Sequence, residues 1–192
     1  MNIPVLATTL AATLAAALTL AAPAWAQKVK LTTSMGDIVI ELAPEKSPKT
    51  VANFVQYVKA GHYNGVVFHR VIDGFMVQTG GFTADLQEKP TRPPIPLESR
   101  NGLSNLRGSI AMARTSVPDS ASAQFFINVG DNLRLDAAHA QDGNGYAVFG
   151  KVVEGMDIVD KIKTVPVGNQ AGHQNVPNQP VTIQQATLIQ EK

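Results

Sequence analysis

The chain has 192 residues, 44% of them hydrophobic and 16% charged, which is one domain's worth of length with enough apolar material for a core. A formal net charge of +1 gives no electrostatic reason to expect nucleic acid or an anionic membrane as partner. Cysteine is absent, which removes disulfides, thiolate catalysis, Cys-ligated zinc and a lipidated cysteine in one step.

Residues 1–26 hold no Lys, Arg, Asp, Glu or His. An Ala/Leu/Thr run leads through Pro23 to Ala24-Trp25-Ala26, an A-x-A cleavage pattern ahead of Gln27. The run is nearly long enough to serve as an uncleaved anchor. Pro23 and the small residues at both cleavage positions favour removal, so the expected product is a single domain, Gln27–Lys192, exported and free of the membrane.

Val29, Leu31 and Thr33 alternate with polar neighbours, Ser34-Met35-Gly36-Asp37 turns the chain, and Ile38–Leu42 returns it as the second strand of a hairpin. Ser47-Pro48 reads as a helix N-cap followed by an N1 proline. Val51, Phe54, Val55 and Val58 then form one helical stripe, and Gly61 ends it. Strand patterns follow at Val66–Ile72, Met76–Thr79, Ile95–Glu98, Ser109–Ala113, Gln124–Val129, Tyr146–Val153 and Val181–Ile189. A second short helix fits Met156–Ile162. The stretches Gln87–Pro96 and Thr164–Pro180, rich in Pro, Gly, Asn and Gln, read as surface connections. Strands of this number with two distant helices suggest an antiparallel sheet closed on itself.

The usual covalent and metal-assisted machinery is not visible. There is no G-x-S-x-G elbow and no P-loop, and Gly143-x-Gly145 lacks the third glycine of a dinucleotide turn. The four histidines show no H-x-x-x-H spacing, and Ser116, Ser120 and Ser122 near Asp119 suit turns better than chemistry. An enzyme built from this inventory must work by binding and electrostatics.

One stretch stands out: FHRVIDGFMVQTGG, from Phe68 to Gly81, places an arginine inside an apolar strand pattern. Regular alternation puts Phe68, Arg70 and Ile72 on one face and His69 and Val71 on the other. A two-residue Asp73-Gly74 turn would set Gln78 opposite His69. A three-residue loop, Asp73-Gly74-Phe75, would set Arg70 opposite Gln78 and Ile72 opposite Met76. Pattern alone leaves both registers open.

The segment FHRVIDGFMVQTGGF resembles the signature of the cyclophilin-type peptidyl-prolyl cis-trans isomerases. The likeness continues in NGLSNLRGSIAMART (101–115), SAQFFINV (122–129) and GYAVFGKVVEGMDIVDKI (145–162), and is greatest to the exported bacterial subgroup. It implies a mainly β fold, a closed eight-stranded antiparallel barrel capped by two helices. It also implies a substrate groove on the barrel's outside, and therefore the three-residue loop.

Position by position, Arg70 resembles the family's catalytic arginine and Gln78 the glutamine that orients it. Phe75, Met76, Phe126 and Leu135 resemble the pocket for the proline ring, and Ala113 and Gln124 the groove for the peptide backbone. Three positions depart. Arg134 stands where many members have tryptophan, Arg114 where an asparagine is common, and Tyr146, a candidate for the pocket rim, where many have histidine. Phe68, Phe125 and Phe149 are expected in the core, and His69 as a satisfied core histidine.

The implied activity is isomerisation of X-Pro peptide bonds without cofactor or metal. The expected partners are proline-containing, unfolded polypeptides in the periplasm, met by a monomer. A holdase or peptide-binding module that keeps the groove with little catalysis is the alternative, motivated by the added charge of Arg114 and Arg134. A barrel enclosing a small ligand is a third reading, opposed by the large apolar residues that should fill its interior.

Overall fold

The computed structural model describes residues 27–189, so the expected leader lies outside the described residues. β1 (Lys28–Thr33) and β2 (Gly36–Leu42) form the first hairpin, with Val29 opposite Ile40 and Leu31 opposite Ile38. All four are fully buried, as their alternation requires.

Helix α1 (Pro48–Lys59) buries Val51, Phe54, Val55 and Val58. Its C-terminus is a Schellman motif: Gly61 takes φ +66°, its N–H reaches the Val58 carbonyl, and His62 N–H reaches that of Tyr57. Its N-terminus differs from expectation. The Ser47 hydroxyl is buried and donates to the Val148 carbonyl at 2.8 Å. The free N–H groups of Lys49 and Thr50 are instead met by the Glu98 carboxylate at 3.2 and 2.8 Å. An acid from a distant loop thus caps the positive end of the helix.

The remaining elements are β3 (Val66–Val67), β4 (Arg70–Ile72), β5 (Met76–Thr79), β6 (Ser109–Met112), β7 (Phe125–Asn128), β8 (Val148–Glu154), α2 (Met156–Lys163), β9 (Val167–Gln170), β10 (His173–Pro177) and β11 (Thr182–Ile189). Nine strands make one antiparallel sheet in the order β3-β11-β1-β2-β8-β6-β7-β5-β4. Its two edges, β3 and β4, are consecutive in the chain and only two residues apart. Phe68 N–H donates to Val181 on one side of this stretch, and Val67 N–H to Phe82 on the other. The expected eight-stranded barrel therefore takes the form of a curled ladder whose ends meet in one interrupted strand.

That interruption corrects the expected alternation. Phe68 and Val71, an odd number of residues apart, both enter the core, and Arg70 alone is exposed. Two further corrections concern loops. No strand forms over Ile95–Glu98, where Ile95 makes a single bridge to Ala121, because Pro93, Pro94 and Pro96 cannot donate to a ladder. Conversely, the stretch expected to be a plain loop after α2 contains the β9–β10 hairpin. Its turn residues, Ala171 and Gly172, both have positive φ, the primed-turn geometry suited to strand twist.

The interior is filled. Phe54 of α1 packs on the rings of Tyr63, Phe125 and Phe149 at centroid distances of 5.1–5.2 Å. Leu31, Ile38, Ile40 and Ile127 complete the layers, and Phe68, Phe125 and Phe149 are core residues as expected. A barrel packed this way leaves its chemistry to its outer surface.

Candidate active site

Alternation along three neighbouring strands builds the site. On β5, Val77 and Thr79 point inward while Met76 and Gln78 point out. On β7, Phe125 and Ile127 point inward and Phe126 outward; on β6, Ala111 sits between inward Ile110 and Met112. The outward set forms a second apolar cluster of Met76, Ala111, Phe126 and Val148, edged by Phe75, Ala113, Leu135 and Tyr146. This cluster is the floor of a pocket on the barrel's outside.

The β4–β5 hairpin takes the three-residue loop. Arg70 pairs with Gln78 and Ile72 with Met76, and Phe75 N–H closes the turn on the Ile72 carbonyl at 3.1 Å. The loop bends at Gly74, whose φ of +72° suits glycine. Arg70 therefore stands beside Gln78. Its guanidinium donates to Gln78 Oε1 at 3.4 Å, a long contact, and Gln78 Nε2 donates onward to Gln124 Oε1 at 2.9 Å. Gly81 makes room for this row, because a β-carbon there would lie 2.7 Å from the Gln124 side chain.

The structure brings the sequence-expected residues together. Arg70, Phe75, Met76, Gln78, Ala113, Phe126, Leu135 and Tyr146 line one pocket of about 100 Å³, and Gln124 joins it through Gln78. That volume is well below the range of roughly 300–1,000 Å³ typical of drug-sized sites and suits one small ring. Tyr146 meets Phe126 edge-on, with ring centroids 5.7 Å apart. Carboxylate and imidazole are missing from the lining, so the charge at the pocket belongs to arginines.

The turn Leu133–Leu135 carries the far wall, and its support could not be read from the sequence. Asn132, buried, donates its amide to the Phe75 carbonyl at 2.8 Å and to Asn128 Oδ1 at 2.7 Å. Asn128 in turn donates to Ser109 and Asn105, and Asn105 to Asp136. Asp136 also accepts from Ser104, and these hydrogen bonds hold its carboxyl below the usual range despite burial. Leu135 and Phe75 are thereby locked to one polar network. The only sequence signal was the asparagine and aspartate content around the apolar strand, which is ordinary for turns.

Arg114 is not a loose charge at the rim. Its side chain is 2% exposed, donates to the carbonyls of Gly145 and Thr115, and pairs with Asp142. Its guanidinium lies 4.7 Å from the Tyr146 ring centroid. The Asp142 carboxyl is lowered to about 2 by Arg114 and by the N–H groups of Asn144 and Gly145. Arg134 differs: it is exposed and covers the Phe75 ring at 4.7 Å. His69, next to Arg70, is buried against Phe82, and its Nδ1 finds no hydrogen-bond partner among the described residues. Burial, reinforced by His173, lowers its pKa to about 4. It is a core histidine, but not a satisfied one.

Comparison with known proteins gives the family and the fold. The profile of the family described as cyclophilin type peptidyl-prolyl cis-trans isomerase/CLD matches residues 28–188. The chain is 56% identical over 163 residues to peptidyl-prolyl cis-trans isomerase A of Dickeya dadantii, covering 85% of each chain. It is 52% identical over 157 residues to isomerase B of Escherichia coli K12, covering 81% of this chain and 96% of that one. Among solved structures, a cyclophilin-type isomerase of Cryptosporidium parvum shares the fold with a TM-score of 0.72 at 23% identity, covering 88% of this chain and all of the other. A profile spanning nearly the whole described chain, relatives above 50% identity and an outward pocket edged by Arg70 lead to one conclusion: this chain belongs to the cyclophilin-type peptidyl-prolyl cis-trans isomerases and is an isomerase of X-Pro peptide bonds.

Proposed function

We propose that Arg70 is the catalytic group of this isomerase and that Gln78 and Gln124 hold it in place. The uncatalysed reaction is slow because amide resonance sets a barrier of roughly 18–20 kcal/mol. The two X-Pro isomers differ by only about 0.5–1 kcal/mol, so a catalyst need only favour the twisted amide over both planar forms. Twisting pyramidalises the prolyl nitrogen, gives it a lone pair, and uncouples the carbonyl. A guanidinium, charged at every relevant pH, supplies hydrogen bonds to that state at little reorganisation cost. Phe75, Met76, Phe126, Leu135 and Tyr146 would hold the proline ring while Ala113 and Gln124 guide the backbone. No bond breaks, so the reaction needs no nucleophile, metal or cofactor.

The observation that carries this reading is the Arg70–Gln78–Gln124 row beside a preformed apolar pocket. A related cyclophilin-type isomerase was solved in the presence of the dipeptide Ala-Pro, which supports proline-containing segments as substrate. The holdase alternative loses part of its basis, because Arg114 is neutralised by Asp142. A protease-coupled assay on a proline tetrapeptide tests the proposal: the purified protein should accelerate the cis-to-trans phase, and the Arg70→Ala protein should not. Equal rates for the two would refute the assignment.

The leader places the work outside the cytoplasm in this reading. The A-x-A pattern before Gln27 supports cleavage, release from the membrane and action on exported, unfolded polypeptides in the periplasm as a monomeric folding assistant.

A further inference from the structure

A second depression adjoins the proline pocket and shares two of its walls. It encloses about 540 Å³ and is lined by Arg134, Leu135, His139, Asp142 and Tyr146 among others, of which Leu135 and Tyr146 also line the proline pocket. The two cavities therefore adjoin across Leu135 and Tyr146. A polypeptide whose proline fills the first can carry a flanking residue over the second.

Its charges do not cancel. Asp142 is committed to Arg114 and to two backbone N–H groups. Of the other two carboxylates between β7 and β8, Asp136 is occupied by Ser104 and Asn105, and Asp131 accepts from the Arg107 N–H. Arg134 pairs with no carboxylate among the described residues; its guanidinium carbon lies 4.7 Å from the Phe75 ring centroid, a contact that occupies none of its N–H donors. His139, exposed, lines the same depression. The wall behind is fixed: Tyr146 N–H is bonded to the Leu135 carbonyl, and Gly145, at φ +64°, has no room for a β-carbon against Ala137 N and Leu135 O.

The register fixes the side of the proline on which this subsite lies. Gln124 precedes Phe125, the partner of Thr79 at one end of β5, whereas Phe75, under Arg134, precedes Met76 at the other. Arg134 and the Gln124 groove thus flank the ring at opposite ends. We infer that the Arg134–His139 depression is a specificity subsite that selects polypeptide segments carrying an Asp or Glu beside the proline, on the side away from Gln124. This inference rests on the proline-pocket reading above and adds the class of segment preferred.

The test is a set of peptides identical except for Glu, Gln or Lys at each position flanking proline, assayed for kcat/KM. Glu should exceed Gln by roughly two- to fivefold on one side of the proline only, the scale of a solvent-accessible ion pair. The advantage should shrink as salt rises, Lys should be disfavoured there, and Arg134→Gln should bring the Glu/Gln ratio close to one. Equal turnover of Glu and Gln peptides at every position would overturn the inference. So would a preference that survives in Arg134→Gln, since it would then not come from the uncommitted guanidinium on which the inference rests. If the protein isomerises none of the peptides, the catalytic reading fails separately, and the Glu/Gln ratio is then measured as calorimetric affinity. Tighter binding of Glu peptides by the native protein, lost in Arg134→Gln, would support the subsite. Equal affinities, or a preference unchanged by the substitution, would overturn it.

Discussion

Among the described residues Arg70 has one hydrogen-bond partner for its guanidinium, Gln78 Oε1 at 3.4 Å, which leaves most of its donors uncommitted. An interaction of that kind matters chiefly in the twisted amide, so Arg70→Ala should lower kcat/KM far more than it weakens peptide binding. Loss of one preorganised donor typically costs a factor of roughly 10²–10³. Arg70→Lys should restore little, because an ammonium lacks the planar fork, and urea denaturation of both variants should stay close to the parent for an exposed side chain. An unfolded Arg70→Ala protein, or a folded one with full activity, would contradict the role. The adjacent His69 makes a different demand. Burial lowers its pKa to about 4 against an ordinary value near 6.5, with His173 adding repulsion, while Val67 and Gln124 oppose only in part. Between those two values the unfolded chain binds more protons than the native one, so stability must fall as pH is lowered through this window and level off below it. The gap corresponds to about 3 kcal/mol at full protonation. His62 is lowered as well, mainly by burial, so the informative comparison is between the native protein and His69→Gln. Denaturation midpoints from pH 7 to pH 4 should fall more steeply in the native protein; parallel curves would dismiss His69 as the titrating group.

At the level of elements, the cap of α1 comes from outside its own segment. Glu98→Ala would leave the Lys49 and Thr50 N–H groups without their acceptor, and capping losses run about 0.5–2 kcal/mol. For a domain of this size that is a fall in Tm of a few degrees, visible by calorimetry, and Glu98→Gln should lose less because one acceptor remains. An unchanged Tm in Glu98→Ala would show that water replaces the carboxylate without cost. Sequence could not reveal this cap, because Ser47-Pro48 is a sufficient local signal and Glu98 is 49 residues from Lys49. The same limit runs through the fold. Hairpin β1–β2, both helices and the strands of the site were legible because each has its own period and turn residues. The β4–β5 register was not settled by period, since both loop lengths fit Asp73-Gly74-Phe75, and only the family likeness pointed to the three-residue loop. Hairpin β9–β10 escaped notice because Val167-Gly168-Asn169-Gln170 is polar and its Ala171-Gly172 turn lacks the usual Asn-Gly signal. Of the site, the outward side chains were legible and the buried network from Asn132 to Asp136 beneath them was not, since it joins residues through tertiary contact alone.

At the scale of the molecule, the barrel begins where the expected leader ends. Leu42 N–H donates to the Gln27 carbonyl at 2.9 Å, and β1 starts at Lys28, so cleavage after Ala26 would remove nothing that the described ladder uses. A shorter product would lose that hydrogen bond, and a longer one would keep part of the apolar run upstream of β1. If residues 1–26 are a cleaved leader, as proposed, the product should begin at Gln27, by N-terminal sequencing or intact mass. An optical signature accompanies the cut, because Trp25 is the only tryptophan in the chain. The precursor should emit as a tryptophan protein, whereas the product, with Tyr57, Tyr63 and Tyr146, should show tyrosine emission alone. Folding should be unaffected, so circular dichroism and Tm of the product should match those of a protein expressed from Gln27. Recovery of the chain from a membrane fraction with Met1 in place and its tryptophan band intact would show that residues 1–26 remain as an anchor, and the enzyme would then act at a membrane surface.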